Sequence, residues 1–138
     1  MVDELYVRYE SDNSLERVTE DRPLPVWVVG PEKYPLNSTT AALAASSIVK
    51  ASPGRLLGVT VTNTKASPQY IQVFDSRTLP VDTTVPIMSV AVAANSALFL
   101  DWGLQGRRFI VGIVVCNSST DATKTIGSAD CLFDAQYV

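Results

Sequence analysis

The chain has 138 residues, 46% hydrophobic and 18% charged, with a net charge of −3 and no histidine. This balance suits one packed globular domain, excludes a disordered chain, and leaves no electrostatic footprint for nucleic acid. No apolar run approaches the ~20 residues that cross a bilayer, and Met1-Val2-Asp3-Glu4 is acidic where a secretory signal is basic, so folding in a cytoplasm, away from membrane, is expected.

Charge is concentrated at one end. Residues 1–22 hold seven acids and three bases, a local charge of −4, whereas residues 23–138 hold seven acids and eight bases and come to +1. The pattern divides the chain into an acidic N-terminal arm, 1–22, and a β domain, 23–138. Leu5, Val7 and Tyr9 alternate with Tyr6 and Arg8, which suits a short strand. Ser11-Asp12-Asn13-Ser14 reads as a turn, and residues 14–20 as a helical turn without an apolar face. Four large apolar residues, Leu5, Tyr6, Val7 and Tyr9, are more than a solvated tail needs, so they are candidate anchors on a neighbouring subunit.

Residues 23–35 contain four of the eight prolines, which fixes this stretch as extended and keeps it out of a sheet centre. Within it, Val26-Trp27-Val28-Val29 reads as an edge strand, and Trp27 as a lid on the core or an interface residue. Residues 41–51 are alanine-rich, yet Ser46-Ser47-Ile48-Val49 alternates before the Pro53-Gly54 turn, so a strand is expected. Over residues 56–62, Leu57, Val59 and Val61 fall on one face and Leu56, Gly58, Thr60 and Thr62 on the other. Residues 63–68 are turn-like. The strand 69–75 follows, with Ile71 and Val73 opposing Tyr70, Gln72 and Phe74.

A loop over 76–84 leads to an alternating strand at 86–94, then Asn95-Ser96 turns the chain into a strand at 97–102. Residues 107–116 are apolar on both faces, the mark of an interior strand. A polar loop over 117–127 precedes a last strand at 129–138. About eight short strands at intervals of roughly 8–12 residues predict an all-β fold, a single antiparallel jelly-roll-like β-sandwich with an extended N-terminal arm.

The chemistry of catalysis is missing from this pattern. Without an imidazole there is no Ser–His–Asp or Cys–His pair, and no P-loop or dinucleotide fingerprint occurs. Asp75, Asp82 and Asp101 are the carboxylates available for glycoside chemistry, but they sit in or beside turns, where aspartate serves turn geometry. The residues 121–130 lack the dense acidic spacing of a calcium loop. Cys116 and Cys131 are too few for a disulfide framework and read as buried thiols, though a hairpin of 109–117 with 130–138 would set them opposite each other. No enzyme, metal or cofactor is expected. The adjacent bases Arg107 and Arg108 are read as solvated charges, or as capping a sheet end, pairing with Asp101, or meeting an acidic arm from another subunit. Asn37-Ser38-Thr39 and Asn117-Ser118-Ser119 match a glycosylation pattern by chance.

Three stretches carry a resemblance: Tyr34-Pro35-Leu36-Asn37-Ser38-Thr39-Thr40, the run QYIQVFDSRTL at 69–79, and GRRFIVGIVVCNSSTDATKTIGSADCLFDAQYV at 106–138. Together they resemble small virion structural proteins of tailed bacteriophages, over residues 34–138. The resemblance implies a non-enzymatic role, foremost as a capsid decoration or cement protein on the head surface. It implies binding to the major capsid protein or other virion proteins as a homo-oligomer, a dimer or trimer, assembled in the bacterial cytoplasm. A tail, neck or tail-tip component is the alternative, and a carbohydrate-binding tip using Trp27, Trp102 and Tyr70 is a third. No functional residues carry over from the family. The arm anchors Leu5, Tyr6, Val7 and Tyr9, with Trp27, Arg107 and Arg108, are the partner-binding residues expected from the chain itself.

Overall fold

The computed structural model describes residues 34–138, together with the backbone of two short strands nearer the start, β1 (Tyr6–Arg8) and β2 (Leu15–Arg17). These two pair antiparallel, with Val7 opposite Glu16, so Leu15–Arg17, inside the segment read as a helical turn, is a strand that pairs with β1. From residue 34 onward come β3 (Leu36–Thr39), β4 (Ser46–Lys50), β5 (Gly54–Asn63), β6 (Gln69–Asp75), β7 (Met88–Val92), β8 (Ser96–Asp101), β9 (Arg107–Phe109), β10 (Ile113–Ser118) and β11 (Cys131–Tyr137). Among the described residues there is no helix.

Four antiparallel ladders nest inside one another: β6 with β7, β5 with β8, β4 with β10, and β3 with β11. The chain is therefore one long hairpin with its tip at residues 76–87 and its open ends at β3 and β11. Rolling that hairpin up lays β11 along β5 and β10 along β6. Two sheets result, of order β3-β11-β5-β8 and β4-β10-β6-β7, with short β9 added beside the first residues of β5. This connectivity is a jelly roll, so the all-β sandwich expected from the pattern is the fold observed.

The core lies between the sheets. In β11 the alternation is strict: Cys131, Phe133 and Ala135 are buried and Leu132, Asp134 and Gln136 are exposed. Facing them are Ile71 and Val73 of β6 and Ile113 and Val115 of β10, with Val59 and Val61 beside them on β5. Each such aliphatic side chain contributes about 1.5–3 kcal/mol on leaving water. Leu56 departs from the sequence pattern, because it joins the core with Val59 and Val61 instead of opposing them. The reason is a bulge: Gly58 pairs with Gln136 but Leu56 pairs with Tyr137, so Leu57 is skipped and the two-residue period is reset.

Residues 107–116 do not form one strand. Residues 107–109 pair with β5 in the five-stranded sheet, and β10 lies at the centre of the four-stranded sheet. The apolar run looked continuous because the crossing residues Ile110 and Val111 are themselves apolar, although both are exposed. The strand at the sheet centre is buried at every position, as its two-faced apolarity requires. β3 was not anticipated, because LNST is polar and follows Pro35; it is an exposed edge strand held by β11. The Val26–Val29 strand and Trp27 lie outside the described residues.

The crossing is fixed by one carboxylate. Asp75, at the end of β6, accepts hydrogen bonds from the backbone N–H groups of Ile110 (3.1 Å), Val111 (2.7 Å) and Gly112 (3.1 Å). Gly112 passes so close to its neighbours that a Cβ would meet the Ser76 carbonyl and lie 2.8 Å from the Lys50 carbonyl. Burial raises the Asp75 pKa, but the hydrogen bonds from Gly112, Ile110 and Val111 outweigh it, so the carboxyl titrates below its ordinary 3.8. A lowered native pKa stabilises the fold fully above the ordinary value, and that contribution disappears as pH falls through the lowered one.

Two outcomes follow from this geometry. Asp75→Ala leaves three N–H groups without their acceptor and should cost about 1–3 kcal/mol, with thermal melting lowered by roughly 3–12 °C. The wild type should lose this advantage below about pH 4, so melting curves of the two proteins should converge in acid. Ile113→Asp puts an unpaired charge in the core and should abolish soluble folding; a soluble variant with a cooperative melt would contradict the position assigned to β10.

Candidate functional site

Alternation along the strands gives each sheet an outer face, and the two outer faces differ. On the four-stranded sheet, Phe74, Val114 and Cys116 point away from the main core yet form a second buried cluster. The loops 76–87 and 119–126 cover them. Gln72 Nε2 donates to the carbonyls of Thr120 and Asp121, both at 2.8 Å, which ties the second loop to β6. Ser118 Oγ donates to the Thr120 carbonyl at 2.8 Å and accepts from Thr125 N at 3.0 Å.

The two loops are also tied to each other. Lys124 has a side chain only 7% exposed, and its Nζ lies 3.3 Å from Asp82 Oδ1, which also accepts from Ile126 N at 2.8 Å. Thr83 N donates to the Lys124 carbonyl and Lys124 N to the Thr84 carbonyl, each at 2.8 Å. These bonds hold Thr83 at φ 71°, a left-handed conformation that a β-branched residue rarely takes. A cleft of about 400 Å³ opens beside this tie, lined in part by Phe74, Leu79, Val85 and Ile87. The chain's own loops cover the β6 and β10 part of this face, while Ile48 of β4, opposite Val114, stays exposed.

Among the described residues no loop covers the outer face of the five-stranded sheet. Phe99 of β8 is 65% exposed and its ring lies over Gly58, where an added Cβ would sit 3.5 Å from Phe99 Cε2. Leu132 of β11 is 39% exposed on the same face, opposite Thr62. Thr39 Oγ1 donates to Asp134 Oδ1 at 2.8 Å at the β3 side. At the other end Arg55 of β5 is directly opposite Arg108 of β9. Cross-strand partners share a face, and like charges in that position repel. Arg55 Nη1 donates to the carbonyl and to Oε1 of Gln105, at 3.1 and 3.2 Å, which are neutral acceptors. Among the described residues the ion pairs are Lys65–Asp130 and Lys124–Asp82, both at 3.3 Å. Neither neutralises the arginine pair.

Of the residues expected at a partner surface, Arg108 is exposed here, while Arg107 is half-buried and donates from Nη2 to the Ile87 carbonyl at 3.3 Å, bridging the two sheets. Neither pairs with Asp101, whose Oδ1 instead accepts from Gly103 N at 2.7 Å. Tyr6 and Val7 lie on β1; Leu5 and Tyr9 lie outside the described residues. The proposed sugar platform does not assemble, because Trp102 packs against the inter-sheet core and Tyr70 belongs to the other sheet. Asp75, Asp82 and Asp101 all accept from backbone N–H groups, but only Asp101 serves its own turn; the donors to Asp75 and Asp82 come from residues 110–112 and 126, far along the chain. Sequence reading missed Phe99, Leu132 and Arg55. The signal was present for Phe99, a large ring on the outward phase between Ala97 and Asp101.

Among the described residues no group of three or more His, Cys, Asp or Glu is placed to hold a metal. The thiols Cys116 and Cys131 are free and buried, in different sheets, so the hairpin that would bridge them does not form. Burial pushes the Cys116 thiol up to about 11, against the opposing effect of Lys124. Burial, helped by Asp130, pushes Cys131 up to about 11 as well. Asn117 is fully buried, which removes the second glycosylation match from reach.

No family model matches the chain, and no curated protein matches it in sequence. Among solved structures, the coat protein of Tobacco streak virus is similar over 80% of this chain and 90% of that one, at 10% identity and a TM-score of 0.38. A likeness of that size carries no argument about role.

Neutral, buried thiols should react slowly. In the native protein at pH 7 a thiol reagent such as DTNB should label neither cysteine within minutes, whereas denaturant should release both. Rapid native labelling of one thiol would contradict its burial.

Proposed function

We propose that this protein is a non-enzymatic virion structural protein of a tailed bacteriophage, most specifically a decoration or cement protein on the capsid surface. The observation that carries the reading is the outer face of the five-stranded sheet, which no described loop covers and on which Phe99 of β8 and Leu132 of β11 are exposed. A jelly roll whose own loops cover part of one outer face and, among the described residues, none of the other has a side made for contact. Jelly rolls recur in capsid and lectin domains, which is an analogy at the level of fold and not of site. The resemblance of residues 34–138 to phage virion proteins selects between them. Many weak contacts repeated by shell symmetry suffice for such a protein, without any one tight site.

Copy number tests the reading. Purified particles of the phage that encodes this chain should contain it in on the order of hundreds of copies, and it should bind preformed shells from solution. A count of about 3–12 copies would assign it to the neck or tail instead, where ring symmetry sets the number. Its absence from particles would remove the virion reading altogether.

A further inference from the structure

The bare face is chemically matched to the other end of the same polypeptide. It presents two apolar side chains, Phe99 on the edge strand β8 and Leu132 on β11, with Thr60 and Thr62 of β5 between them, and its β9 end carries Arg55 and Arg108 side by side. The face's own acids, Asp101 and Asp134, lie farther along the strands, opposite Gly58 and Thr60, and each accepts a local hydrogen bond. The arginine pair thus has two positive charges in repulsive register with no carboxylate against them among the described residues. Residues 1–22 combine seven acids with the apolar Leu5, Tyr6, Val7 and Tyr9. A partner of that composition would cover Phe99 and Leu132 and neutralise the basic end at once.

We infer that the outer face of the five-stranded sheet is a docking surface for the acidic N-terminal segment of a second copy of this chain. Charge complementarity selects this occupant over nucleic acid, because the whole chain carries −3 and would be repelled by a phosphate backbone away from this one spot. Each copy offers one arm and one face, so reciprocal exchange gives a closed dimer, and a head-to-tail contact gives a ring where its rotation closes. The contact joins copies of this chain alone and does not depend on where in a particle the protein sits. It uses the face on which the virion reading rests, so its own test is self-association in solution, while copy number in particles tests that reading.

Sedimentation of the full-length protein over a range of concentrations and salt tests the contact. The wild type should self-associate, and more weakly as salt rises, since exposed charges are screened. The double variant Arg55→Glu/Arg108→Glu should associate on the order of tenfold more weakly. Converting Asp3, Glu4, Glu10 and Asp12 to Lys should weaken association likewise, and combining both sets should restore it. Arg55→Gln/Arg108→Gln provides the folding check: relieving the repulsion should leave thermal melting unchanged or higher while association still falls. A wild type that stays monomeric at all concentrations would overturn the inference, as would association indifferent to the arginine variants or not restored by the combined charge reversal. Binding of an oligonucleotide that the Gln variant loses, with self-association intact, would assign the face to nucleic acid and overturn it too.

Discussion

The three backbone N–H groups held by Asp75 decide where the chain changes sheets. β9 runs in the five-stranded sheet beside β5, and three residues later β10 occupies the centre of the other sheet. Extended backbone cannot make that change and keep its donors in a ladder, so the amides of residues 110–112 must find an acceptor elsewhere. The carboxylate at the end of β6 supplies it, and it comes from the strand that β10 then joins, since Asp75 is also the register partner of Ile113. Placement of β10 sets the rest: the second buried cluster on its outer side, the loop that Gln72 gathers over that cluster, and the pairing of β4 at its far edge.

Covering part of one outer face has a visible structural cost. It comes with a buried ammonium on Lys124, a left-handed Thr83 and a buried side-chain oxygen without a partner on Gln72. Such features persist only where surrounding structure over-determines them. The five-stranded sheet shows nothing comparable on its outside; Thr60, Thr62, Asp134 and Gln136 present ordinary polar groups around Phe99. The molecule is thus polarised, with strain and closure on one side and a relaxed, open β surface on the other.

Much of this was legible in the sequence, and the misses have physical causes. β6 and β11 could be read directly because Ile71 and Val73, and Cys131, Phe133 and Ala135, keep the two-residue apolar phase that faces the core. The interior character of Ile113, Val114 and Val115 was readable because a strand covered on both sides needs no polar phase. The break before them was hidden, since nothing in Ile110-Val111 announces that its donors go to a carboxylate 35 residues away. Leu56 was assigned to the wrong face because a bulge is a property of two strands and not of one. β3 was invisible for a related reason: its four residues become a strand only because β11 offers an edge. As for the surface, the basic pair in the sequence was Arg107-Arg108, but the pair in space is Arg55 and Arg108; only the ladder could reveal it.

The nested ladders also imply an order of assembly. The innermost pair, β6 and β7, is joined by residues 76–87 alone, while in the outermost ladder even the nearest pair, Thr39 with Asp134, spans 95 residues. Loop-closure entropy grows with that separation, so zipping from the tip inward-out leaves β3 for last. Held on one side only and exposed along most of its length, β3 is then also the first strand to detach under thermal fluctuation. When it does, the freed edge of β11 becomes a template for an equivalent strand from another chain, the same opening through which domain exchange begins.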